Sequence, residues 1–150
     1  MVSTAQLSEF GLFRGLPLTF LEKLAAISHE FGVFKDNYIF REGEKADQIH
    51  FLIKGGISLR VKLTSRPDHI TVSFINKPYE SFGWSGVVPP FYYTASAYCE
   101  EDSQILTMPA EKFMQILEAD PKSGFIVMQR IAEIIADRLR NSRQALLKTI

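Results

Sequence analysis

The order of apolar and polar positions divides the chain into a helical start, an alternating middle and a helical end. Between residues 33 and 108, short apolar segments with a two-residue period alternate with turn residues, which is typical of β-strands. They predict about seven strands, at residues 33–35, 38–41, 49–53, 57–63, 70–75, 94–98 and 104–108. Strands this short and this closely spaced indicate a barrel or a jelly roll.

Helical periodicity marks the segment before these strands. Leu21 and Leu24 recur at a helical interval. Thr19 stands three residues before Glu22, which is the spacing of a capping box at a helix start. We expect this helix to end near residues 31–32.

The segment after the strands is also helical. Residues 111–118 place their apolar side chains on one helical side, and Asp120 followed by Pro121 has the pattern of an N-cap and a first helical residue. A long helix should then reach about Leu147. We therefore expect a mostly β fold with flanking α-helices: a double-stranded β-helix, or jelly roll, with an N-terminal helix and a long C-terminal helix. We expect a single domain over residues 1–150, made of an N-terminal helical part (1–32), the β-roll (33–108) and the C-terminal helices (109–150).

The composition is that of an ordinary globular protein. Hydrophobic residues make up 46% of the 150 residues and charged residues 23%, so the chain can bury a core. Lysine plus arginine and aspartate plus glutamate both number 17, and no net charge attracts the chain to nucleic acid or to an anionic membrane. The chain shows neither a signal peptide nor a membrane-spanning apolar run. We expect a cytoplasmic protein with no membrane contact and no nucleic-acid contact within this chain.

The sequence lacks the common signatures of catalysis. It contains no Walker loop, no GxGxxG, no GxSxG and no HExxH. The three histidines lie far apart: we expect His29 on a solvated helix, His50 facing outward from a strand and His69 at the end of a polar turn. Cys99 is expected to be a small buried hydrophobe rather than a nucleophile. We therefore expect no catalysis, no metal site and no required cofactor, with a small-molecule enzyme on a jelly-roll scaffold as the rival interpretation.

Several motifs follow one another in a characteristic order. Residues 12–16 (LFRGL) precede residues 33–47 (VFKDNYIFREGEKAD), and residues 51–59 (FLIKGGISL) and 80–83 (ESFG) come next. In this order and spacing the chain resembles the cyclic-nucleotide-binding domain family, which includes the bacterial catabolite activator and the regulatory subunits of protein kinase A. The resemblance covers nearly the whole chain. It implies a non-catalytic regulatory or sensory module.

The resemblance also implies that the phosphate-binding cassette lies at residues 82–97, here called the cassette segment. In the family this cassette runs Phe-Gly-Glu, a short helix, and then Arg and a small hydroxyl residue; the glutamate binds the ribose and the arginine pairs with the phosphate. Here Trp84 replaces the glutamate and Tyr93 replaces the arginine, unless a shift of one residue places Tyr92 there. The ligand site implied by the family is therefore degenerate, and it comprises Phe82, Gly83, Trp84, Ser85, Gly86, Tyr93 and Thr94.

These replacements weaken the binding expected for a cyclic nucleotide. Loss of the charged phosphate partner costs roughly 2–5 kcal/mol. Loss of the ribose hydrogen bond costs about 1.5–3 kcal/mol. At about 1.4 kcal/mol per factor of ten, even the two low ends together lower the affinity by a few hundredfold. We expect that the pocket does not bind cAMP or cGMP in the family manner.

Three interpretations of the pocket remain open. A basic residue from elsewhere restores cyclic-nucleotide binding, with Arg60, Lys62 and Lys77 as candidates. Alternatively, aromatic side chains fill a vacated cavity, and the domain is a structural or protein-binding module. In the third interpretation the pocket binds another small ligand against an aromatic lining of Trp84, Phe91, Tyr92, Tyr93 and Tyr98.

The terminal helix carries an apolar stripe that is too wide for one roll to cover. In the family the equivalent helix forms the dimer interface. The resemblance therefore implies a homodimer with an interface at Ile131, Ile134, Ile135 and Leu139. The basic residues of the same helix are expected on its solvated face, at Arg138, Arg140, Arg143 and Lys148.

Overall fold

The computed structural model describes residues 2–149. Helices precede and follow a group of strands. The elements are α1 (Thr4–Ser8), a 3-10 helix (Gly11–Phe13), α2 (Leu18–Ile27), β1 (His29–Val33), β2 (Tyr38–Phe40), β3 (Gln48–Lys54), β4 (Ile57–Lys62), β5 (His69–Ile75), β6 (Ser81–Phe82), a second 3-10 helix (Trp84–Val87), β7 (Ser96–Cys99), β8 (Ser103–Pro109), α3 (Ala110–Ala119) and α4 (Pro121–Thr149).

The strands form two antiparallel sheets, in the orders β1-β8-β3-β6 and β2-β7-β4-β5. Inner side chains of both sheets form one hydrophobic cluster, the roll core: Phe40, Ala46, Leu52, Ile57, Leu59, Ile75, Phe82, Tyr93, Ala97, Cys99 and Ile105. This architecture confirms the predicted jelly roll with N-terminal helices and a long C-terminal helix. It also confirms Cys99 as a small buried hydrophobe.

A second cluster, the helix-side core, joins the helices to the first sheet. Its members include side chains from every helix, from β3 and from β8: Leu7, Phe10, Phe13, Phe20, Leu24, Ile49, Phe51, Trp84, Leu106, Met108, Phe113, Leu117, Val127 and Ile131. The two cores share β3, because its alternating side chains are covered on both faces. Phe51 belongs to the helix-side core and Leu52 to the roll core.

The start and end of α2 differ from the prediction. Pro17 holds the N-cap position with φ of −59°, and no side chain caps the helix, so the predicted capping box of Thr19 and Glu22 is wrong. Proline suits a helix start because the first N–H groups have no partner within the helix. The helix ends at Ile27 rather than near residues 31–32, because the chain from His29 onward pairs with β8 as β1.

The strand region also corrects two of the histidines. His29 lies exposed on β1 and not on a helix. His50 is buried rather than facing outward, because β3 lies between β8 and β6 and has the roll on one side and the helices on the other. The short strand β6 was not predicted, since two residues are too few to show a periodicity.

The two C-terminal helices pack closely at their junction. As predicted, the Asp120 carboxylate accepts hydrogen bonds from the backbone N–H of Ser123 at 3.3 Å and from its hydroxyl at 2.9 Å. A Cβ at Gly124 would lie 2.4 Å from the carbonyl oxygen of Leu117, so only glycine allows this approach. From there α4 runs to the roll and contacts β5.

Candidate functional site

A cavity of about 340 Å³ lies between the second sheet, the cassette segment and α4. Its walls are mainly apolar, with contributions from Phe40, Leu59, Val61, Val72, Val88, Tyr93, Ala95 and Ile135. Three serines and one threonine stand among them: Ser73, Ser85, Thr94 and Ser142. Apolar cavities of this size with a few polar groups are the usual form of small-molecule sites. We therefore take this cavity as the candidate site.

Gly83 begins the cassette segment in a conformation that requires glycine. Its φ is +76°, in the left-handed region. A Cβ at this position would lie 2.7 Å from Nδ1 of His50 and 3.1 Å from the ring of Phe40. Both the backbone and the space around it therefore exclude a side chain. This turn directs the following 3-10 helix along the edge of the cavity.

Trp84 is anchored in the helix-side core at the edge of the cavity. Only 7% of its surface is exposed. The indole packs edge-on against Phe51, with ring centroids 6.0 Å apart, and in a tilted contact against Phe113, with centroids 6.1 Å apart. The indole N–H donates a hydrogen bond to Oγ of Ser81 at 3.1 Å. A buried indole with its N–H paired is a stable arrangement. Trp84 is thus a packing residue between the roll and α3.

Tyr93, which is expected at the arginine position of the cassette, contributes a neutral ring. The ring stacks on Phe40 with centroids 3.7 Å apart, and the hydroxyl donates a hydrogen bond to the carbonyl of Gln48 at 3.1 Å. Burial, aided by the charges of Asp47 and Glu44, raises the pKa of Tyr93 to about 12. Tyr93 therefore stays uncharged at neutral pH. It lines the cavity, whereas Tyr92 is exposed and lies outside it.

The other expected cassette residues divide between the cavity and the interior. Ser85 and Thr94 line the cavity beside Gly83, Trp84 and Tyr93. Phe82 does not line it, because this side chain is fully buried in the roll core. Gly86 packs against α3 instead, where a Cβ would lie 2.8 Å from the Cβ of Ala110.

The expected aromatic lining is only partly present. Phe91 and Tyr92 are 41% and 54% exposed and do not line the cavity. Tyr98 lies outside it as well: its hydroxyl donates to the carboxylate of Asp36 at 2.5 Å, and the guanidinium of Arg60 covers its ring at 3.8 Å. Phe40 takes the place of these rings beside Trp84 and Tyr93. The five-ring lining predicted from the sequence is wrong.

His50 is a residue that the sequence interpretation misplaced. It is 4% exposed and stacks on Phe82 with centroids 5.2 Å apart. Burial lowers the pKa of His50 to about 3, so the imidazole is neutral, and its Nδ1 has no hydrogen-bond partner among the described residues. The signal lay in the alternation of β3, where Phe51 faces the helices and its neighbours face the roll. Within residues 2–149, no three His, Cys, Asp or Glu side chains come together as a metal-ligand set.

Arg138 of α4 supplies the charge that the cassette segment lacks. It is half-buried and is the one charged residue among those that line the cavity within residues 2–149. One of its N–H groups donates to the carbonyl of Ser81. Burial lowers the pKa of Arg138, but an arginine remains a cation in neutral water. The prediction that Arg138 lies on the solvated face of the helix is therefore wrong.

The basic residues proposed to restore phosphate binding lie elsewhere. Arg60 pairs with Glu100 at 3.0 Å and does not line the cavity. Lys62 is also absent from its walls. Lys77 lines a neighbouring cavity of about 610 Å³, which shares Ser73 and Arg138 with the first. The positive charge of the candidate site comes from α4 and not from the strands.

Sequence comparison identifies the domain. The profile described as "Cyclic nucleotide-binding domain" matches residues 33–120, which is more than half of the chain and includes the cassette segment. The chain belongs to the cyclic nucleotide-binding domain family. No curated protein matches it.

Solved structures of this family share the fold. A candidate cyclic nucleotide-binding protein from Geobacter metallireducens GS-15 is 27% identical, with 93% of this chain and 99% of that chain covered and a TM-score of 0.80. The sensor domain of the transcriptional regulator DNR from Pseudomonas aeruginosa is 20% identical, with 91% of each chain covered and a TM-score of 0.76. The Thermus thermophilus catabolite activator protein is 21% identical, with 90% of this chain and 61% of that chain covered and a TM-score of 0.72. The chain thus shares its fold with regulatory and sensor proteins.

In this cyclic nucleotide-binding domain, α4 has one apolar side buried and another open. Ile131 is buried in the helix-side core, and Ile134 packs against that core. Ile135 and Leu139 remain 45% and 59% exposed, and Leu146 further along is 49% exposed. Ile131 is therefore too buried to belong to the expected dimer interface. Within residues 2–149 the helices are too short or too polar to span a bilayer.

Proposed function

We propose that this domain is a non-catalytic sensory module whose pocket does not bind cAMP or cGMP in the family manner. The observation that supports the proposal is the neutral, buried ring of Tyr93, which stacks on Phe40 and which the family resemblance aligns with the cassette arginine. A cyclic phosphate in that place would lose its cationic partner. The ribose would lose its carboxylate at Trp84, whose indole is anchored in the helix-side core.

The energies decide against a tight cyclic-nucleotide complex. Without the cassette arginine the phosphate loses roughly 2–5 kcal/mol. The lost ribose hydrogen bond costs about 1.5–3 kcal/mol more. Arg138 does not replace the first loss in the same geometry, because it comes from α4 and is bonded to the carbonyl of Ser81. Affinity should therefore fall by at least a few hundredfold relative to an intact cassette.

The position of α4 supports a sensory role. Ile135, Arg138 and Ser142 lie on one side of this helix and line the cavity, while the opposite wall belongs to the roll. An occupant therefore touches both bodies at once, and its presence favours one placement of α4 over others. We propose that occupancy is transmitted through α3 and α4, and that the exposed stripe of α4 binds a second copy of the chain.

The direct test is calorimetric titration of the purified chain with cAMP and with cGMP. The regulatory domain of Toxoplasma gondii PKA, which was crystallised with cAMP, serves as the positive control under the same conditions. We expect affinity at least a few hundredfold weaker than that of the control. Low-micromolar binding of either nucleotide to the chain would overturn the proposal.

A further inference from the structure

The candidate cavity combines apolar walls with a single positive charge. Rings and aliphatic side chains form most of its surface, and Arg138 is the one charged residue in its lining within residues 2–149. A lone cation in apolar surroundings favours one anionic group and disfavours a second, because each further buried anion would lack a partner. The hydroxyl groups of the walls add polar contacts without adding charge.

The guanidinium of Arg138 has donors to spare. An arginine carries five N–H donors, and one hydrogen bond to a described residue is present, to the carbonyl of Ser81. The nearest carboxylates are already engaged: Glu80 accepts from the backbone N–H of Lys77 at 2.8 Å, and Asp137 pairs with Arg140. Both carboxylates act on Arg138 through space, but neither forms an ion pair with it.

We propose that Arg138 is the anion-binding residue of this cavity and that the ligand is a small, mostly apolar molecule with one anionic group, such as an aryl carboxylate. The proposal rests on the sensory function proposed above, since it names the ligand class of that same pocket. The family cassette holds the anion of its ligand on the roll. In this chain the anion binds α4 itself, so the charge that recognises the ligand is on the helix that transmits the signal.

The cavity is large enough for a small aryl carboxylate but leaves little room for a larger ligand. Its volume of about 340 Å³ lies near the lower end of the range of roughly 300–1,000 Å³ for small-molecule sites. A two-ring molecule stacked beside Phe40 and Tyr93 meets apolar surface on one side. Its anionic group then reaches Arg138 on the other side of the cavity, where α4 forms the wall.

A matched pair of fluorescent probes tests the charge requirement. Anilinonaphthalene sulfonate carries one anion, and phenylnaphthylamine has the same rings without it. Trp84 is the single tryptophan and lines the cavity, so energy transfer from its indole to a probe reports binding near this cavity. We expect Arg138→Gln to lower the affinity for the anionic probe at least tenfold, since a hydrogen bond to a charged group is worth about 1.5–3 kcal/mol. The neutral probe should bind this variant as it binds the original chain.

Control variants separate the charge from the fold. Arg143→Gln removes an exposed charge from the same helix and should leave both probes unchanged. Arg138→Lys should recover part of the lost affinity for the anionic probe. Retained binding of the neutral probe shows that the cavity of Arg138→Gln is intact. Equal losses for both probes, an unchanged affinity for the anionic probe, or no energy transfer from Trp84 in the original chain would each overturn the proposal.

Competition then identifies the ligand class. Naphthalene acetate should displace the anionic probe from the original chain, and naphthalene acetamide, which lacks the charge, should not. Equal displacement by both compounds contradicts the proposed class. The cAMP titration described above is independent of these measurements: tight cAMP binding refutes the proposed function, whereas insensitivity of the probes to Arg138→Gln refutes the anion site alone.

Discussion

The cassette segment and α4 face the same cavity, but their side chains are held in different ways. In the cassette segment, Trp84 and Tyr93 are buried and have their polar atoms paired within the domain. On α4, Arg138 has a single hydrogen bond to the described residues, and Leu139 is 59% exposed. Paired, buried groups stabilise the fold, while spare donors and exposed apolar surface favour binding. The cassette wall therefore contributes to stability, and the α4 wall is the one that we propose to recognise a ligand.

The largest effect expected from this comparison is on the stability of the cassette wall. Trp84→Ala removes a buried indole that contacts Phe51 and Phe113, and such truncations cost about 3–5 kcal/mol. Tyr92→Ala, in the same segment, removes a side chain that is 54% exposed and should cost far less. Urea unfolding followed by far-ultraviolet circular dichroism measures both, since the first variant has no tryptophan left. Similar midpoints for the two variants would contradict a structural role for Trp84.

A smaller effect is expected where the cassette segment turns. Gly83→Ala places a side chain at φ of +76°, which costs about 1–2 kcal/mol, and also forces its Cβ toward Nδ1 of His50. Gly43→Ala is a matched control, since its φ is +90° and no described residue apart from its two chain neighbours has an atom within 4 Å of the added Cβ. We expect Gly83→Ala to lower the free energy of unfolding more than Gly43→Ala does. Equal losses in urea titrations would show that His50 moves aside freely.

The sequence predicted the roll because strands depend on local patterns, in which alternating segments lie between turn residues. The placement of the cassette at residues 82–97 stays a prediction, as do the departures from the family pattern at Trp84 and Tyr93. Their packing partners, Phe51 and Phe40, come from distant parts of the chain, and no local pattern shows which ring will meet which.

Arg138 shows why the second wall was harder to predict. It stands four residues after Ile134 and seven after Ile131, so the helical period places it on the row that packs against the roll. Its charge suggested a solvated position instead. Lys and Arg are rarely buried without a partner, and the partner here is the carbonyl of Ser81, 57 residues away. A cation on an apolar helix row was the signal that could have identified it.

The smallest effect on the fold is expected on the open side of α4. Leu139→Glu with Leu146→Glu places charges at the stripe proposed to bind a second copy, where the two residues are seven apart and so recur on one helical side. Light scattering should show a dimer for the original chain and half that mass for the double variant, while the free energy of unfolding of the monomer changes by less than about 0.5 kcal/mol, as for other surface substitutions. Leu147→Glu, at a residue that is 70% exposed and lies beside the stripe, should leave the dimer intact.

Two results would show that α4 is not the dimer interface: a monomeric original chain, or a double variant that remains a dimer. A large loss of monomer stability would show instead that this side of α4 is needed by the roll, and the contrast between the two walls would fail.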